Sequence, residues 1–155
     1  MAQSGRLIEG DRTMARGLDE YQRSESLMSK PWYLMLFADV DRQANRLDQA
    51  MSRIDEALGL CAQTAEELVL PECERVLGTI LEANGDPVRA TRHYLKAHEI
   101  AVSQKSRSCE LRAAMDLARV DPDAAPMVSE AYEWFIEGFG TSDLRNARRL
   151  IAELA

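Results

Sequence analysis

The middle of the chain places apolar residues at helical spacing, and one short break interrupts the pattern. Between residues 66 and 83 apolar side chains recur every three or four positions, as they do on one face of an α-helix. The same spacing resumes over residues 88–102. Between the two stretches lies Asn-Gly-Asp-Pro at residues 84–87. The pattern therefore predicts two helices joined by a very short connection.

The break has the composition of a tight turn between helices. Gly85 can adopt the left-handed backbone conformation that ends a helix. Asp86 can accept hydrogen bonds from the free amides of a new helix, and Pro87 suits a first turn, where its missing N–H is not needed. We therefore predict a helical hairpin in which Asp86 caps the second helix.

The pattern repeats along the chain with a period of 40 residues. Small residues recur at matching offsets, and two helices cross closely only where side chains are small. The small residues are Gly10, Ala50 and Ala90; Gly17, Ala57 and Ala97; and Ala38 and Gly78. Gly5, Asn45 and Gly85 recur at the same period, and asparagine, like glycine, tolerates the left-handed conformation of a turn. Larger apolar residues stand between them at Met14, Ile54 and Tyr94. We therefore expect Ala50 and Ala90 to be buried at equivalent helix crossings.

These positions resemble the tetratricopeptide repeat. A repeat beginning at Pro31 and one beginning at Pro71 both meet the family pattern of a small residue, two alanines and a large apolar residue. The aromatic residue usual in the family is replaced by Asp41 and Leu81, and the late proline is missing. The resemblance implies an all-α fold, a right-handed solenoid of helical hairpins with a C-terminal capping helix.

The resemblance also implies a layout within a single domain. A partial repeat would cover 5–30, full repeats 31–70 and 71–110, an altered repeat 111–138 and a capping helix 141–155. The altered repeat should place its small residue near Ala118. The apolar face of the capping helix would comprise Leu144, Ala147, Leu150, Ile151 and Leu154.

In the tetratricopeptide family, the first helix of each hairpin lines a concave groove that binds protein segments. Matching repeat positions assigns twelve candidate groove residues here, which mix charge with a few apolar anchors. They are Trp32, Met35, Asp39, Arg42 and Gln43; Glu72, Arg75, Thr79 and Glu82; and Arg112, Met115 and Arg119. The alternative is that these residues form only a solvated inner face.

A narrower resemblance covers most of residues 5–155 and is best matched in the C-terminal half. The segments "KSRSCELRAAMDLARV" and "YEWFIEGFGTSDLRNARRLIAEL" are similar to the C-terminal repeat region of large bacterial signalling ATPases. Such regulators often carry a nucleotide-cyclase or DNA-binding domain. No GxxxxGK[ST] nucleotide-binding motif occurs in this sequence. The resemblance implies the sensor or partner-binding part of a bacterial signalling or transcription regulator.

Composition and charge narrow the classes of partner. The net charge is −7, which argues against non-specific binding to nucleic acid. No apolar run approaches the roughly 18 residues that would span a bilayer, and no signal peptide is visible at the start. Three widely spaced cysteines favour reduced thiols and a cytoplasmic protein. We expect no membrane partner and no nucleic acid partner.

Candidate chemistry is sparse. His93 and His98 are five positions apart and do not share a helix face, and no cysteine or carboxylate completes a metal spacing. Abundant carboxylates on helices normally line solvated faces. Four aromatic residues could form a binding platform, although such a cluster more often buries a capping helix: Tyr132, Trp134, Phe135 and Phe139. We expect no catalytic residues, metal or cofactor.

The sequence thus favours a non-catalytic interaction module that binds a protein or peptide segment. A structural oligomerisation unit and a small α-helical enzyme remain alternatives. One further expectation concerns residues 6–24, read as a helix whose apolar stripe comprises Leu7, Met14, Leu18 and Tyr21. One flank of that helix has no predicted cover, and an uncovered apolar flank tends to find a partner. We therefore expect a homodimer through this N-terminal helix, or aggregation of the chain unless a larger parent protein covers the helix.

Overall fold

A computed structural model describes residues 12–13, 16–17 and 29–154 of the chain. All regular structure within these residues is helical, which confirms the all-α prediction for this part of the chain. The elements are α1 Lys30–Gln43, α2 Leu47–Thr64, α3 Leu70–Ala83, α4 Pro87–Ser103, α5 Arg107–Val120, a 3-10 turn Pro122–Ala124, α6 Ala125–Glu133 and α7 Ser142–Leu154. The stripe predicted for residues 6–24, and the homodimer assigned to it, lie outside the described residues.

The chain divides into two compact units, Met1–Glu66 and Glu67–Ala155. The described part of the first unit contains α1 and α2, and the second unit contains α3 to α7. The division falls close to the predicted boundary between the repeats 31–70 and 71–110. Among the described residues, no helix combines the length and the apolar character that crossing a bilayer demands.

The first unit contains a hairpin in which α1 packs on α2. Asn45 adopts a left-handed conformation with φ 60° between the two helices. The Arg46 amide donates to the Asp41 carbonyl at 2.8 Å, and the Asn45 amide donates to the Arg42 carbonyl at 2.9 Å. This pair of bonds satisfies carbonyls at the end of α1 and is the Schellman pattern of helix termination.

The second unit begins with a hairpin of the same kind, α3 and α4. Gly85 has φ 82°, and the Asp86 amide donates to the Leu81 carbonyl at 2.9 Å. The Asp86 carboxylate accepts from the Arg89 amide at 3.0 Å, which confirms the predicted cap. The turn after α4 repeats this geometry at Lys105, which has φ 57°.

The 40-residue period is visible in burial as well as in sequence. Residues 51–60 and 91–100 share the same burial class, position by position. Ala50 and Ala90 are both fully buried, as predicted, and so are Ile54 and Tyr94. Each second helix therefore presents the same apolar face to its own hairpin, because the same positions carry small or apolar side chains.

The remaining helices of the second unit continue the arrangement. Helix α5 packs on α4 and also on α3, and α7 packs on α6 and also on α5. Helices α3, α5 and α7 therefore form one row, in which each member contacts the next. Ala118 is buried in α5, as predicted. Leu144, Ala147 and Leu150 are buried in α7, while Ile151 and Leu154 are half-buried.

Candidate functional site

The predicted groove residues of the first unit lie on α1 and differ in exposure. Trp32 is exposed, whereas Met35 is buried and is therefore part of the core. Asp39 accepts from Arg42 Nε at 2.9 Å and from Gln43 Nε2 at 2.8 Å. These three polar side chains form one local cluster near the end of the helix. Four of the five predicted residues are thus at least partly accessible.

Asp41 is buried on α1. One carboxylate oxygen lies 2.7 Å from Arg46 Nε and 2.6 Å from Arg46 Nη2. The other oxygen lies 2.7 Å from Arg53 Nε. This contact is an ion pair without the geometry of a hydrogen bond. The Arg53 guanidinium also covers the Phe37 ring at 5.1 Å. Two arginines therefore compensate the buried charge.

The predicted residues of the second unit meet in one ion-pair network centred on Glu72. Glu72 is only 5% exposed. One of its oxygens accepts from Arg75 Nε at 3.1 Å and Arg75 Nη2 at 3.0 Å. The other oxygen accepts from Arg112 Nε at 3.0 Å, although Glu72 and Arg112 are 40 positions apart in sequence. Equivalent positions of successive first helices therefore carry opposite charges and contact each other directly.

The network extends to two further carboxylates. Arg75 Nη1 donates to Asp116 Oδ2 at 2.8 Å, and Arg119 donates to the other oxygen of Asp116. Arg112 Nη1 donates to Asp143 Oδ2 at 2.9 Å on α7. Three carboxylates thus balance three guanidinium groups, and the network ties α3, α5 and α7 together. Its arginines are already neutralised within the unit.

Electrostatics hold the network in its charged form. Burial alone would raise the pKa of Glu72, but the charges and hydrogen bonds of Arg75 and Arg112 outweigh burial and hold that pKa below 4.5. Burial opposes the charged form of Arg75 too, yet Glu72 and Asp116 raise its pKa. The pKa of Arg112 is raised for the same reason, since Glu72 and Asp143 accept its hydrogen bonds.

The other predicted residues of this unit have separate roles. Glu82 accepts a hydrogen bond from the buried Tyr94 hydroxyl at 2.7 Å. Burial and this bond both raise the pKa of Tyr94, so the phenol stays protonated. Thr79 donates to the Val76 carbonyl of its own helix at 2.8 Å. Met115 is buried and belongs to the core.

A cavity of about 200 Å³ opens beside the network, where α5 and α7 meet. One of the predicted residues, Arg119, lies in its lining. The lining residues are Arg119, Asn146, Arg149, Leu150 and Glu153. Arg149 is exposed and forms no ion pair with any residue that the structure describes. The cavity therefore combines an uncommitted guanidinium with an amide, a carboxylate and an apolar contact.

Sequence reasoning did not identify Asp116, Asp143 or the α7 side of the cavity. Asp116 lies four positions after Arg112 and three before Arg119, which is the spacing of charge pairs on a helix. That spacing, together with the opposite charges 40 residues apart, could have revealed most of the network. The contact with Asp143 spans only 31 positions and breaks the period, so the repeat could not predict it.

The two histidines are separate in the structure. His93 Nδ1 lies 2.7 Å from the buried Glu74, and Lys96 Nζ lies 2.6 Å from the same carboxylate. Burial lowers the pKa of His98, outweighing nearby carboxylates. Within residues 12–13, 16–17 and 29–154 no group of three or more potential ligands is placed to hold a metal ion.

Two of the four aromatic residues expected to bury a capping helix, Trp134 and Phe139, are exposed, and the other two are half-buried. Trp134 is 57% exposed in the connection between α6 and α7, and Phe139 is also exposed. Trp134 meets the Phe135 ring edge-on at 5.5 Å and lies under the Arg107 guanidinium at 5.5 Å. Tyr132 contacts the Phe139 ring at 5.8 Å.

The cysteines are free thiols in different surroundings. Cys61 and Cys73 are buried, and Cys109 is half-buried. Cys109 Sγ accepts from Arg112 Nη2 at 3.5 Å. Burial nevertheless raises the pKa of Cys109, so this thiol is not activated as a nucleophile.

Comparison with known proteins gives no match for this chain, whether against protein-family models, curated proteins or solved structures. The resemblance to tetratricopeptide repeats therefore rests on the residues of this sequence and stays a hypothesis. Function has to be argued from the geometry of the two units.

Proposed function

We propose that this chain is a non-catalytic protein-interaction module that binds a segment of a partner protein. Its fold would be a right-handed tetratricopeptide-like solenoid with α7 as the capping helix. The row formed by α3, α5 and α7 would be its binding face. The narrower sequence resemblance adds the proposal that it serves as the sensor or partner-binding part of a cytoplasmic bacterial regulator.

The order of helix contacts in the second unit supports the solenoid. Each first helix packs on its own second helix, and α3, α5 and α7 contact one another in turn. A repeat protein buries its core by stacking neighbouring hairpins in this manner. The small residues predicted to allow close crossings, Ala90 and Ala97, are fully buried. The altered third hairpin and α7 then end the stack.

The observation that carries the binding proposal is the cavity between α5 and α7. One of its lining residues, Arg119, is held by a hydrogen bond to Asp116 of the charge network. An ordered side chain loses little conformational entropy when a partner binds, which favours affinity. Arg149 offers donors for a carboxylate or a peptide carbonyl, while Asn146 can both donate and accept. Leu150 adds apolar contact at the wall.

The cavity suits binding better than catalysis. Acid–base catalysis would need convergent titratable groups with suitable pKa values. Glu153 is the single carboxylate among the five lining residues, and arginine is not a practical general acid or base at neutral pH. This lining therefore favours the interaction module over the alternative of a small helical enzyme.

Selection from a displayed library of random peptides, with the full chain as bait, tests the proposal. Peptides that are enriched would be synthesised, and their affinities for wild type and Arg149→Glu compared. We expect the substitution to weaken binding about tenfold or more. Glutamate offers no hydrogen-bond donor at the cavity, and its negative charge repels the acidic groups of a peptide. Arg75 and Arg112 are poor probes, since both hold the network together.

Arg148→Glu is the matched control. Arg148 is exposed, adjoins Arg149 on the same helix and does not line the cavity. Its substitution should change affinity far less. Equal losses for the two variants would mean that long-range charge is being measured. Failure of wild type to enrich any peptide would contradict the proposed function.

A further inference from the structure

Helix α4 exposes an apolar stripe along its outer side. Val88, Leu95 and Val102 are 65%, 41% and 44% exposed, and they follow one another at intervals of seven residues. Seven residues make almost two full helical turns, so the three side chains lie nearly in line. Such a line of exposed apolar side chains is typical of a helix that packs on another helix.

The fold of the hairpin does not require this stripe. The 40-residue period places Asp48, Asp55 and Ala62 at the equivalent positions of α2, and all three are exposed. The buried positions of the two helices match, with Ile54 of α2 corresponding to Tyr94 of α4. The hairpin of α1 and α2 therefore folds with two aspartates and an alanine at these outer positions. The stripe of three larger apolar side chains is a particular property of α4.

Charges flank the stripe in an arrangement that suits a second copy of the same helix. Arg92 and Glu99 are both exposed, and neither forms an ion pair with another described residue. At 100° per residue both lie on the same edge of the stripe, about 40–60° from Leu95. Arg92 lies three positions before Leu95 and Glu99 lies four positions after it. The edge thus carries opposite charges at nearly equal distances from its centre.

We propose that α4 packs against α4 of a second copy, antiparallel, about a two-fold axis near Leu95. Leu95 would then contact Leu95 of the second copy, and Val88 would contact Val102. Antiparallel helices bring the same edge of each helix together, so Arg92 would face Glu99 of the second copy. At 1.5 Å per residue, the two would differ by about 1.5 Å along the axis. The two-fold symmetry makes this ion pair twice.

A parallel pair would not use these charges. Parallel helices bring opposite edges together, and the other edge of the stripe carries Thr91 and His98. Arg92 and Glu99 would then face Thr91 and His98, and neither would meet a residue of opposite charge. Charge complementarity therefore favours the antiparallel arrangement.

A nearby residue extends the apolar surface. Gln104 Nε2 donates to the Glu67 carbonyl at 2.7 Å, which holds the segment before α3 close to the end of α4. The next residue, Leu68, is 85% exposed. It would add apolar area at each end of the symmetric interface. The pairing leaves the row of α3, α5 and α7 free, so it is independent of the proposed function.

Sedimentation of the full chain over a range of concentrations tests the pairing. Because the stripe is narrow, we expect a dimer that dissociates in the micromolar range rather than an obligate one. Leu95→Glu should raise the dimer dissociation constant about tenfold or more, since it buries two like charges at the axis. Ile136→Glu is the matched control, because Ile136 is 91% exposed, is not part of the stripe and undergoes the same change of charge. It should leave dissociation unchanged.

A charge exchange tests the antiparallel register. Arg92→Glu and Glu99→Arg should each weaken the dimer, because each places like charges opposite one another. The double variant should restore most of the wild-type affinity, since it re-forms the pair in reverse. Within one helix the two residues are about 10 Å apart, too far for direct contact. A wild-type monomer at hundreds of micromolar, a dimer insensitive to Leu95→Glu, or failure of the double variant to recover would overturn the proposal.

Discussion

Gly78 on α3 lies directly against the ring of Tyr94 on α4. A Cβ atom at position 78 would be 2.5 Å from Tyr94 Cε1 and 2.7 Å from Cδ1. The ring is fully buried, and its hydroxyl donates to Glu82 at 2.7 Å. Since the ring is enclosed by the core and its hydroxyl is hydrogen-bonded, it has little room to move away from an added methyl group. The crossing of α3 and α4 therefore depends on glycine at this position.

Gly78→Ala should destabilise the protein by about 1–3 kcal/mol, the usual cost of overpacking a core. This loss would outweigh the roughly 1 kcal/mol that alanine gains over glycine in a helix. Gly59→Ala is the control, because Gly59 is exposed on α2 and an added Cβ would meet nothing within 4 Å. The control should be neutral or stabilising in denaturant unfolding. A stabilised Gly78→Ala variant would contradict the packing.

The equivalent residues of the first hairpin suggest how to repair the clash. Ala38 and Ile54 stand 40 positions before Gly78 and Tyr94, and both are fully buried. Gly78→Ala combined with Tyr94→Ile should therefore be less destabilised than the sum of the two single variants. Additive losses in the same unfolding measurement would show that the two positions are not coupled.

The left-handed turn residues should respond in opposite directions. Gly85 has φ 82° and Lys105 has φ 57° at equivalent points of successive turns. Gly85→Ala should cost about 1 kcal/mol, because a side chain is strained in that conformation. Lys105→Gly should stabilise by about 0.5 kcal/mol, because it relieves the same strain at some cost in chain entropy. Thermal unfolding gives the melting temperature of each variant relative to wild type. Shifts of the same sign in the two variants would contradict the prediction.

The ion-pair network predicts a strong contrast between two arginines. Arg75→Ala would remove one of the two arginines that bind each of Glu72 and Asp116 in a largely buried setting, so we expect a loss of stability of about 1–3 kcal/mol. Arg89→Ala removes only an exposed contact 3.7 Å from Asp86, and should cost less than about 0.5 kcal/mol. Urea unfolding of the two variants decides this. Similar small losses would mean that the network adds little to stability.

Glu72 should make stability depend on pH in the acid range. Its native pKa is held below 4.5, so the unfolded chain takes up its proton first as pH falls. The contribution of Glu72 is therefore complete above its unfolded pKa and is lost as pH falls through the lower native value. Glu72→Gln should destabilise at neutral pH and show a weaker loss of stability below about pH 4.5. Glu67→Gln, at an exposed position, should retain the wild-type slope.

The features of this chain that the sequence predicts correctly are those that depend on local or periodic interactions. Gly85, Asp86 and Pro87 predicted their turn because each residue type has an intrinsic preference for its position. The alanines at 50 and 90 were correctly predicted to be buried, since the period of small residues directly reflects helix crossings. Both inferences need only the order of residues along the chain.

The conformational preference of a residue type does not predict the backbone where helix packing determines the turn. Lys105, between α4 and α5, adopts φ 57°, although lysine does not favour a left-handed conformation. Helices α4 and α5 pack on each other across a connection of only a few residues, so packing imposes the strained conformation. The sequence could not indicate this turn as strongly as it indicated Gly85.

The candidate site shows the same division. The sequence determined the all-α class, the hairpin period and the residues on the first helices, because these depend on spacing and residue type. Only the tertiary structure decided that Met35 and Met115 belong to the core, that Glu72 and Arg75 neutralise each other, and that Arg149 stays uncommitted beside a cavity. Burial and ion pairing depend on which side chains from distant segments meet. Those distances follow from how the helices pack, which spacing along one helix does not specify.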